Sequence, residues 1–426
     1  MNNQYSLKSI YIYTLPIIFS ELLEEFTILS DSILLSFKEP VYLSTVGIID
    51  SIFLLFLTIG ESLNDSFQNF YSRNCKNFTR CKGVFTSSLI LFIGIGVGFA
   101  FLFSLISIFH EHFNGEHLTI LVSAIPYLAI LIVLSFISLS LNSLLMGWGF
   151  TKFLGWVSIF SVSTNFVLGY LLLYILDTGL NPCIIVIVTS SFAELFAGIC
   201  MMLKILQLYR PNRDKSSDCR HQTRIFQTLV YASVFPSLSG VGFHLGSLAL
   251  YTYCLCFLFD AETAIFTLFM SYWGVLQVPS QGFAETAINF YSNIYAKKKK
   301  HLYSMVKNRL LYLSILTSLF IWIAIVILDS CLYKINMHKM LLFGILLGIV
   351  GLNTFGEITD TSLLVRLKNN SFILSKVYYT IILVLCLAVL TSTNHVRIIN
   401  IFICFFIAQL FNCCYLGIKD YHLWMK

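Results

Sequence analysis

Ionisable side chains lie within the long apolar stretches of this sequence, and nearly all of them are acidic. Basic residues at comparable depth are nearly absent. The acids are Glu21, Glu24, Glu25, Asp31, Asp50, Glu61, Asp65, Glu194, Glu285, Glu357 and Asp360. A charged group inside a bilayer is costly, so a carboxylate there needs a proton or a cation as its partner. The pattern therefore indicates reversible binding of protons, metal cations or organic cations.

The first apolar stretch concentrates four of these carboxylates. Glu24 and Asp31 are seven residues apart and share one face of a helix, with Glu21 on the flank of that face. Pro16 removes a backbone donor and can kink the helix. A kinked helix with carboxylates along one face is suited to a site that bends when a proton binds. We expect Asp31 and Glu24, together with Glu194, to face a polar cavity.

The elements that carry these acids are twelve apolar helices. The chain has 426 residues, of which 57% are hydrophobic and only 11% are charged, against about 25% charged residues in soluble domains. This excludes a soluble enzyme, a disordered chain and a fibrous repeat, and the lack of strand alternation argues against a β-barrel. The sequence predicts an all-α polytopic membrane protein with twelve transmembrane helices at 11–36, 43–71, 84–110, 118–147, 153–176, 182–208, 225–258, 262–296, 310–333, 339–366, 372–393 and 397–418.

Lysine and arginine predict the orientation of these helices. With the N-terminus inside, the inner segments hold 23 of the 27 basic residues and the outer segments hold 4. This asymmetry predicts that both termini are cytoplasmic. The net charge of +6 is then explained by topology and by the lipid bilayer as partner, not by nucleic-acid binding.

The two halves of the chain resemble each other at an offset of 220 residues. Asn69-Phe70-Tyr71-Ser72 recurs as Asn289-Phe290-Tyr291-Ser292, and Pro16 matches Pro236. We therefore expect two pseudo-symmetric six-helix bundles, an N-lobe at 1–208 and a C-lobe at 224–426, joined by a cytoplasmic linker at 209–223. Each half has an even number of spans, so the repeats are parallel, as in transporters whose substrate path lies between halves. In this register His244 matches Glu24, which makes His244 a candidate cavity residue.

Two motifs resemble the multidrug and toxic compound extrusion (MATE) family within the wider multidrug/oligosaccharide-lipid/polysaccharide exporter superfamily. Leu15-Pro16-Ile17 followed by Asp31-Ser32-Ile33 resembles the first helix of that family, and Asn165-Phe166-Val167-Leu168-Gly169 resembles its fifth-helix Asn-x-x-Leu-Asp pattern. The Gly-plus-small-residue stretches at the ends of helices 2 and 8 and the 6+6 layout extend the resemblance over the whole chain.

The resemblance implies two six-helix lobes and export of organic cations or amphipathic compounds, driven by antiport with protons or sodium through alternating access. It implies that Asp31 is the coupling carboxylate, with Asn165 as its neighbour, and that an acid on helix 10, Glu357 or Asp360, also takes part. The chain departs from the pattern where Gly169 replaces the fifth-helix Asp. The extra acids on helix 1 and Glu194 on helix 6 are candidates for the relocated charge.

The expected function is therefore that of a cation-coupled exporter, acting as a monomer in the plasma membrane without a cofactor or resident metal. The candidate cavity residues are Glu21, Glu61, His244, Tyr272, Glu357 and Asp360, and the candidate coupling residues are Asp31, Glu24, Asn165 and Glu194. The alternative is a flippase for lipid-linked oligosaccharides or lipids, whose cavity would need Arg or Lys for pyrophosphate. No motif of a membrane-embedded enzyme is present in the sequence.

Overall fold

The computed structural model describes residues 6–73, 78–108, 116–176, 179–209, 219–296, 301–333, 337–365, 369–393 and 396–425. Within these ranges the chain forms twelve α-helices in sequence order. They are α1 Leu7–Ser36, α2 Pro40–Arg73, α3 Phe78–Ile108, α4 Glu116–Gly147, α5 Thr151–Tyr170, α6 Pro182–Tyr209, α7 Cys219–Phe257, α8 Asp260–Ala296, α9 His301–Leu332, α10 Met337–Val365, α11 Asn369–Ser392 and α12 Ile398–Met425.

The all-α class and the order of twelve helices are confirmed, with most boundaries within a few residues of the prediction. The largest differences are that α9 begins at His301 and α12 continues to Met425, because hydrogen-bonded helix extends into polar sequence that hydropathy does not mark. Within the described residues, ten helices are long and apolar enough to cross a membrane. The other two are α1, whose apolar segment Leu7–Phe19 ends before its carboxylates, and α8, which starts with two acids.

Large apolar side chains cover the outer surfaces of several helices. Ile90 and Phe101 on α3 are 66% and 63% exposed, and Phe320 on α9 is 74% exposed. In water such exposure would promote aggregation. In a bilayer the same faces lie against lipid chains, and the helices satisfy their own backbone hydrogen bonds.

The helices form two compact units whose boundaries differ from a simple division at the linker. Unit 1 contains Met1–Leu29 and Leu245–Lys426, and unit 2 contains Ser30–His244. The first part of α1 is therefore grouped with the helices that follow α7, and the first part of α7 with α2 to α6. The predicted lobes at 1–208 and 224–426 describe the sequence repeat and stay a prediction.

The repeat is visible in the helix positions. Shifted by 220 residues, the start of α2 at Pro40 falls on the start of α8 at Asp260. The repeated aromatic positions are also buried alike, because Tyr71 and Tyr291 are both 0% exposed. The offset found in four residues therefore also relates the starts of the two helices that carry them, α2 and α8.

In unit 1, the first part of α1 packs tightly on α8. Thr14 and Thr286 share a hydrogen bond of 2.8 Å between their hydroxyl oxygens. Ile18 is buried in the same core cluster as Phe283. Gly282 allows this approach, since a Cβ there would lie 2.7 Å from Ile18 Cγ1.

Unit 2 contains the counterpart of this packing, where the first part of α7 lies on α2. A Cβ at Gly240 would overlap the Thr58 hydroxyl. The rings of Phe67 and Phe226 have centroids 5.9 Å apart. Thus a small residue permits close helix packing in both units, as is common between membrane helices.

Substitution of Gly282 by Ala tests the close packing of α1 on α8. We expect Gly282→Ala to lower the free energy of unfolding by about 1–3 kcal/mol, because the added methyl overpacks against Ile18. Thermal unfolding in detergent would measure it. The matched control is Gly94→Ala on α3, where no atom lies within 4 Å of the new Cβ. Equal melting temperatures for the two variants would contradict the prediction, and Ile18→Ala should relieve the overpacking in the double variant.

Candidate functional site

Asp31 on α1 is a buried carboxylate held by neutral hydrogen-bond donors. It is 6% exposed. The Asn165 side-chain amide of α5 donates to Asp31 Oδ1 at 2.9 Å, and the Ser190 hydroxyl of α6 donates to Asp31 Oδ2 at 3.3 Å. The Ser190 hydroxyl can instead donate to Asn165 Oδ1, at 3.5 Å. All three side chains belong to unit 2, so one compact body forms the site.

The arrangement leaves the charge of Asp31 without a basic partner among the described residues. The carboxylate of Asp50 on α2 is close enough to Asp31 for the two charges to repel each other. Donors such as an amide and a hydroxyl orient a carboxylate without cancelling its charge. Chemically, this pair of carboxylates favours the uptake of a proton or a small cation.

Sequence reasoning placed Asp31 and Asn165 together, but it did not identify Ser190 or the role of Asp50. A serine on an apolar helix has no distinguishing pattern, and its closeness to Asp31 depends on tertiary packing. Asp50, one of the acids within the apolar stretches, is half-buried in the structure.

The C-terminal end of α1 is fixed beside α5 by Tyr174. After Tyr170, the helix α5 continues as one π-helical turn, Leu171–Ile175. The Tyr174 hydroxyl donates to the Leu34 backbone carbonyl, one of the last carbonyls of α1 that lack a helical partner. The Lys38 ammonium lies 4.4 Å from the centre of the Tyr174 ring. These contacts hold α1 one turn beyond Asp31.

Gly169 explains how α1 comes so near to α5 at this level. A Cβ at Gly169 would lie 3.1 Å from Leu34 Cδ1. The Leu34 side chain thus occupies the space next to the position where the fifth-helix pattern of the MATE family has Asp. The packing of the Leu34 side chain of α1 against α5 therefore leaves room for a glycine at position 169.

Glu194 lies one turn beyond Ser190 on the same face of α6, next to the Ser138 hydroxyl of α4. This places Glu194 in unit 2, as Asp31 is. The predicted coupling set therefore comes together in part, with Asp31, Asn165 and Glu194 in one unit. Glu24 belongs to the segment of α1 that is grouped with unit 1, and its side chain lies outside the described part of the structure.

The predicted cavity residues are distributed over both units. Glu61 and His244 lie in unit 2, and Glu21, Tyr272, Glu357 and Asp360 lie in unit 1. Glu21, Glu61 and His244 are half-buried. The rings of His244 and Phe243 form a T-shaped contact, with centroids 5.6 Å apart. Their assignment to a substrate cavity stays a prediction.

Lys376 corrects the expectation that basic residues are nearly absent at the depth of the acids. Its ammonium lies 3.2 Å from Asp360 Oδ2 and 3.5 Å from Glu357 Oε1. Lys376 is 9% exposed as a whole residue. The sequence analysis assigned it to an inner segment, because it stands near the start of α11. The helix-10 acids therefore have an internal basic partner.

Tyr272 lies in the packed interior of unit 1. It is 0% exposed, stacks on Phe343 and donates its hydroxyl to Asp329 Oδ1 at 3.0 Å. This environment is that of a core residue, and it gives the cavity assignment no support. The sequence analysis also did not select Asp329, whose Oδ2 accepts a hydrogen bond from the Lys339 ammonium at 3.4 Å.

A second buried acid outside the predicted set is Asp420 near the end of α12. It is 5% exposed. It accepts hydrogen bonds from the Tyr303 hydroxyl at 2.7 Å and from the Lys307 ammonium at 2.7 Å, and the Ser362 hydroxyl also donates to it. The predicted twelfth helix ended before this residue. Asp329 and Asp420 each have a basic partner, in contrast to Asp31.

Within the described residues, no group of three or more His, Cys, Asp or Glu side chains is placed to hold a metal ion. His117 lies in α4, and its Nδ1 is 2.8 Å from the Thr45 hydroxyl oxygen of α2. That contact joins the first turns of α2 and α4.

Removal of the Asn165 amide should destabilise unit 2. Asn165→Ala takes a charge-assisted hydrogen bond from a buried carboxylate, at a cost of about 1.5–3 kcal/mol. We expect a lower melting temperature for this variant in detergent at neutral pH. The control is Thr164→Ala on the same helix, since the Thr164 hydroxyl donates to the Phe160 carbonyl of its own helix. Unfolding of both variants at the wild-type temperature would contradict this account of Asp31.

Tyr174→Phe removes only the hydroxyl that binds the Leu34 carbonyl. We expect a loss of about 1 kcal/mol and faster hydrogen exchange at the backbone amides of residues 34–38, because the end of α1 loses its partner. The control is Tyr170→Phe, whose ring lies 5.5 Å from that of Tyr174. Mass spectrometry of deuterium uptake would measure both. Unchanged exchange at the end of α1 would show that Tyr174 does not hold it.

Comparison with known proteins extends these observations. Residues 16–171 match the MatE family model. No curated protein sequence matches the chain.

Among solved structures, the outward-facing conformation of a multidrug resistance MATE family transporter of the MOP superfamily is similar over 99% of this chain and 97% of its own, with a TM-score of 0.75 and 16% identity. An inward-facing conformation of such a transporter is similar over 97% and 98%, with a TM-score of 0.74 and 17% identity. A crystal structure of MATE in the straight conformation has a TM-score of 0.73 at 16% identity, over 98% and 96%.

The resemblance read from the sequence is thereby confirmed. The helical fold along nearly the whole chain and the matched segment both agree with it. Residues 16–171 match the MatE family model, and the chain as a whole has the fold of MATE family transporters of the MOP superfamily.

Proposed function

We propose that this protein is a secondary active transporter, and not an enzyme, that exports organic cations or amphipathic compounds in exchange for protons or sodium ions. The observation that carries the proposal is the Asp31 site. A buried carboxylate with an amide and a hydroxyl as partners, and with a second carboxylate nearby, binds a cation reversibly. A buried charge without an opposite charge beside it raises the free energy of a membrane protein. Its presence therefore indicates a function.

Uptake of a cation by Asp31 would change the forces on α1. Binding cancels the repulsion between Asp31 and Asp50 and alters the hydrogen bonds of Asn165 and Ser190. Asp31 is the second residue after the position where α1 passes from unit 1 to unit 2. A change in charge there is therefore coupled to the shape of a helix that belongs to both units, and Pro16 makes that helix easier to bend.

Alternating access is supported by the solved structures of the same fold, which include outward-facing and inward-facing conformations of a multidrug resistance transporter. In the proposed cycle, an external cation binds at Asp31 and favours release of the substrate outside. The cation then leaves on the inner side after the rearrangement. Such a cycle requires the cation to bind the two conformations with different affinities, and the ion gradient supplies the free energy that drives it.

The proposed substrates are cationic because the ionisable groups of the apolar helices are mainly acidic. Glu21 and Glu61, both half-buried, remain the candidate groups that attract a positive substrate. Exposed aromatic side chains on α1, Phe19 and Phe26, can hold a cationic ring.

A flippase for lipid-linked oligosaccharides or lipids is the alternative that the sequence leaves open. Its cavity needs basic side chains for a pyrophosphate group. The buried base nearest to the helix-10 acids is Lys376, and two carboxylates already surround its ammonium. This pairing favours the cation exporter.

The proposal includes a plasma-membrane location with both termini in the cytoplasm, and action as a monomer. It includes no cofactor besides the exchanged proton or sodium ion. The basis for the orientation is the excess of Lys and Arg in the segments assigned to the inner side.

Replacement of the coupling carboxylate tests the proposed function. In liposomes with the purified protein, ethidium flux is followed under a pH gradient and, separately, under a sodium gradient. We expect one of the two gradients to drive flux in the wild type, and Asp31→Asn to reduce that flux at least tenfold. The neutral amide cannot bind a cation as the carboxylate does.

The control is Glu39→Gln, which removes an exposed carboxylate eight residues further along the chain. It should retain wild-type flux. A melting temperature of Asp31→Asn close to that of the wild type would show that the protein remains folded. Gradient-driven flux through Asp31→Asn at the wild-type rate would refute the proposal.

A further inference from the structure

Unit 1 contains a buried group of two acids and one base on neighbouring helices. Glu357 and Asp360 are three residues apart and lie on one face of α10. Lys376 of α11 places its ammonium between them, at 3.5 Å from Glu357 Oε1 and 3.2 Å from Asp360 Oδ2. The side chains are 31%, 3% and 11% exposed for Glu357, Asp360 and Lys376, respectively.

The three charges differ in what they require from their surroundings. Asp360 is almost fully buried, so its charge has to be balanced by a cation within the protein. Glu357 is one-third exposed and can keep part of its hydration. Lys376 therefore supplies the positive charge that balances Asp360, the more deeply buried of the two acids. Because its ammonium is covalently attached to the chain, it is present beside Asp360 at any concentration of external ions. The ionisable neighbour on α12 is Cys413, whose thiol donates to the Leu352 carbonyl at 2.9 Å.

We propose that Lys376 is a built-in cation for the helix-10 carboxylates, which keeps exchangeable ions away from Glu357 and Asp360 and limits the cycle to the single cation bound at Asp31. Lys376 thus determines the number of ions exchanged per substrate. The inference rests on the proposed function, because a ratio of ions to substrate is defined only for coupled exchange.

The other half of the repeat provides the contrast. At an offset of 220 residues, the positions that correspond to Glu357, Asp360 and Lys376 hold Ile137, Ser140 and Trp156, none of which is charged. Unit 2 has its buried acid at Asp31 instead, and the described partners of Asp31 are an amide and a hydroxyl. The two units therefore differ in the partners that they place beside a buried carboxylate. One has an internal ammonium beside it, and the other leaves the position of the cation open.

The experiment measures the voltage dependence of exchange in liposomes that contain the full-length protein. Ethidium is a monovalent cation, so its exchange for one proton or one sodium ion moves no net charge. We expect the wild-type exchange rate to be independent of an imposed membrane potential. Lys376→Met frees the carboxylates for a second ion, so its exchange should become voltage-dependent.

Two further variants separate charge from loss of structure. Lys376→Arg keeps the positive charge and should remain independent of voltage. Asp360→Asn combined with Lys376→Met removes the buried pair as a whole and should also return to voltage-independent exchange. If Lys376→Met does not assemble but the double variant does, the internal pairing is supported, because the uncompensated carboxylate is then the cause.

The outcomes distinguish the two proposals. No gradient-driven exchange in the wild type would refute the proposed function itself. Gradient-driven exchange that depends on voltage in the wild type would leave that function standing and overturn the role of Lys376. Voltage-independent exchange by Lys376→Met at the wild-type rate would overturn it as well.

Discussion

A carboxylate in an apolar interior has to be balanced, and the ways in which this chain balances its acids determine the roles of its helices. Asp420 and Asp329 each have a lysine and a tyrosine as partners. The pair on α10 has Lys376. Asp31 differs, because an amide and a hydroxyl hold it without cancelling its charge. The acids with a lysine beside them have their charge balanced within the protein, whereas the one that is only oriented is available for binding.

Small residues determine how closely the helices that carry these acids approach their neighbours. Gly282 permits α1 to lie on α8, and Gly240 permits α7 to lie on α2. At Gly169 the Leu34 side chain fills the space between α5 and α1, beside the site. The position of Asp31 therefore results from backbone proximity as much as from hydrogen bonds, and the π-helical turn after Tyr170 adds a contact at the end of α1.

The sequence was sufficient for the fold, because hydropathy, charge asymmetry and a repeated motif are local or periodic signals. Its resemblance to the MATE family also placed Asp31 beside Asn165, where the structure has them. It was not sufficient for the partners that tertiary packing supplies. Ser190 is one of many serines, and Lys376 stands near a helix start, where lysine is ordinary. Tyr272 illustrates the opposite error, since an aromatic residue near a predicted cavity packs against Phe343 in the interior.

The discontinuous composition of unit 1 has a consequence for biosynthesis. Its first segment, Met1–Leu29, precedes the whole of unit 2 in the chain, and its remaining part begins at Leu245. During translation the first half of α1 enters the membrane long before α8, on which Ile18 packs, has been synthesised. Unit 2 becomes complete at His244, so the assembly order runs from the middle of the molecule outwards. A chain cut at the linker would therefore not yield two self-sufficient halves.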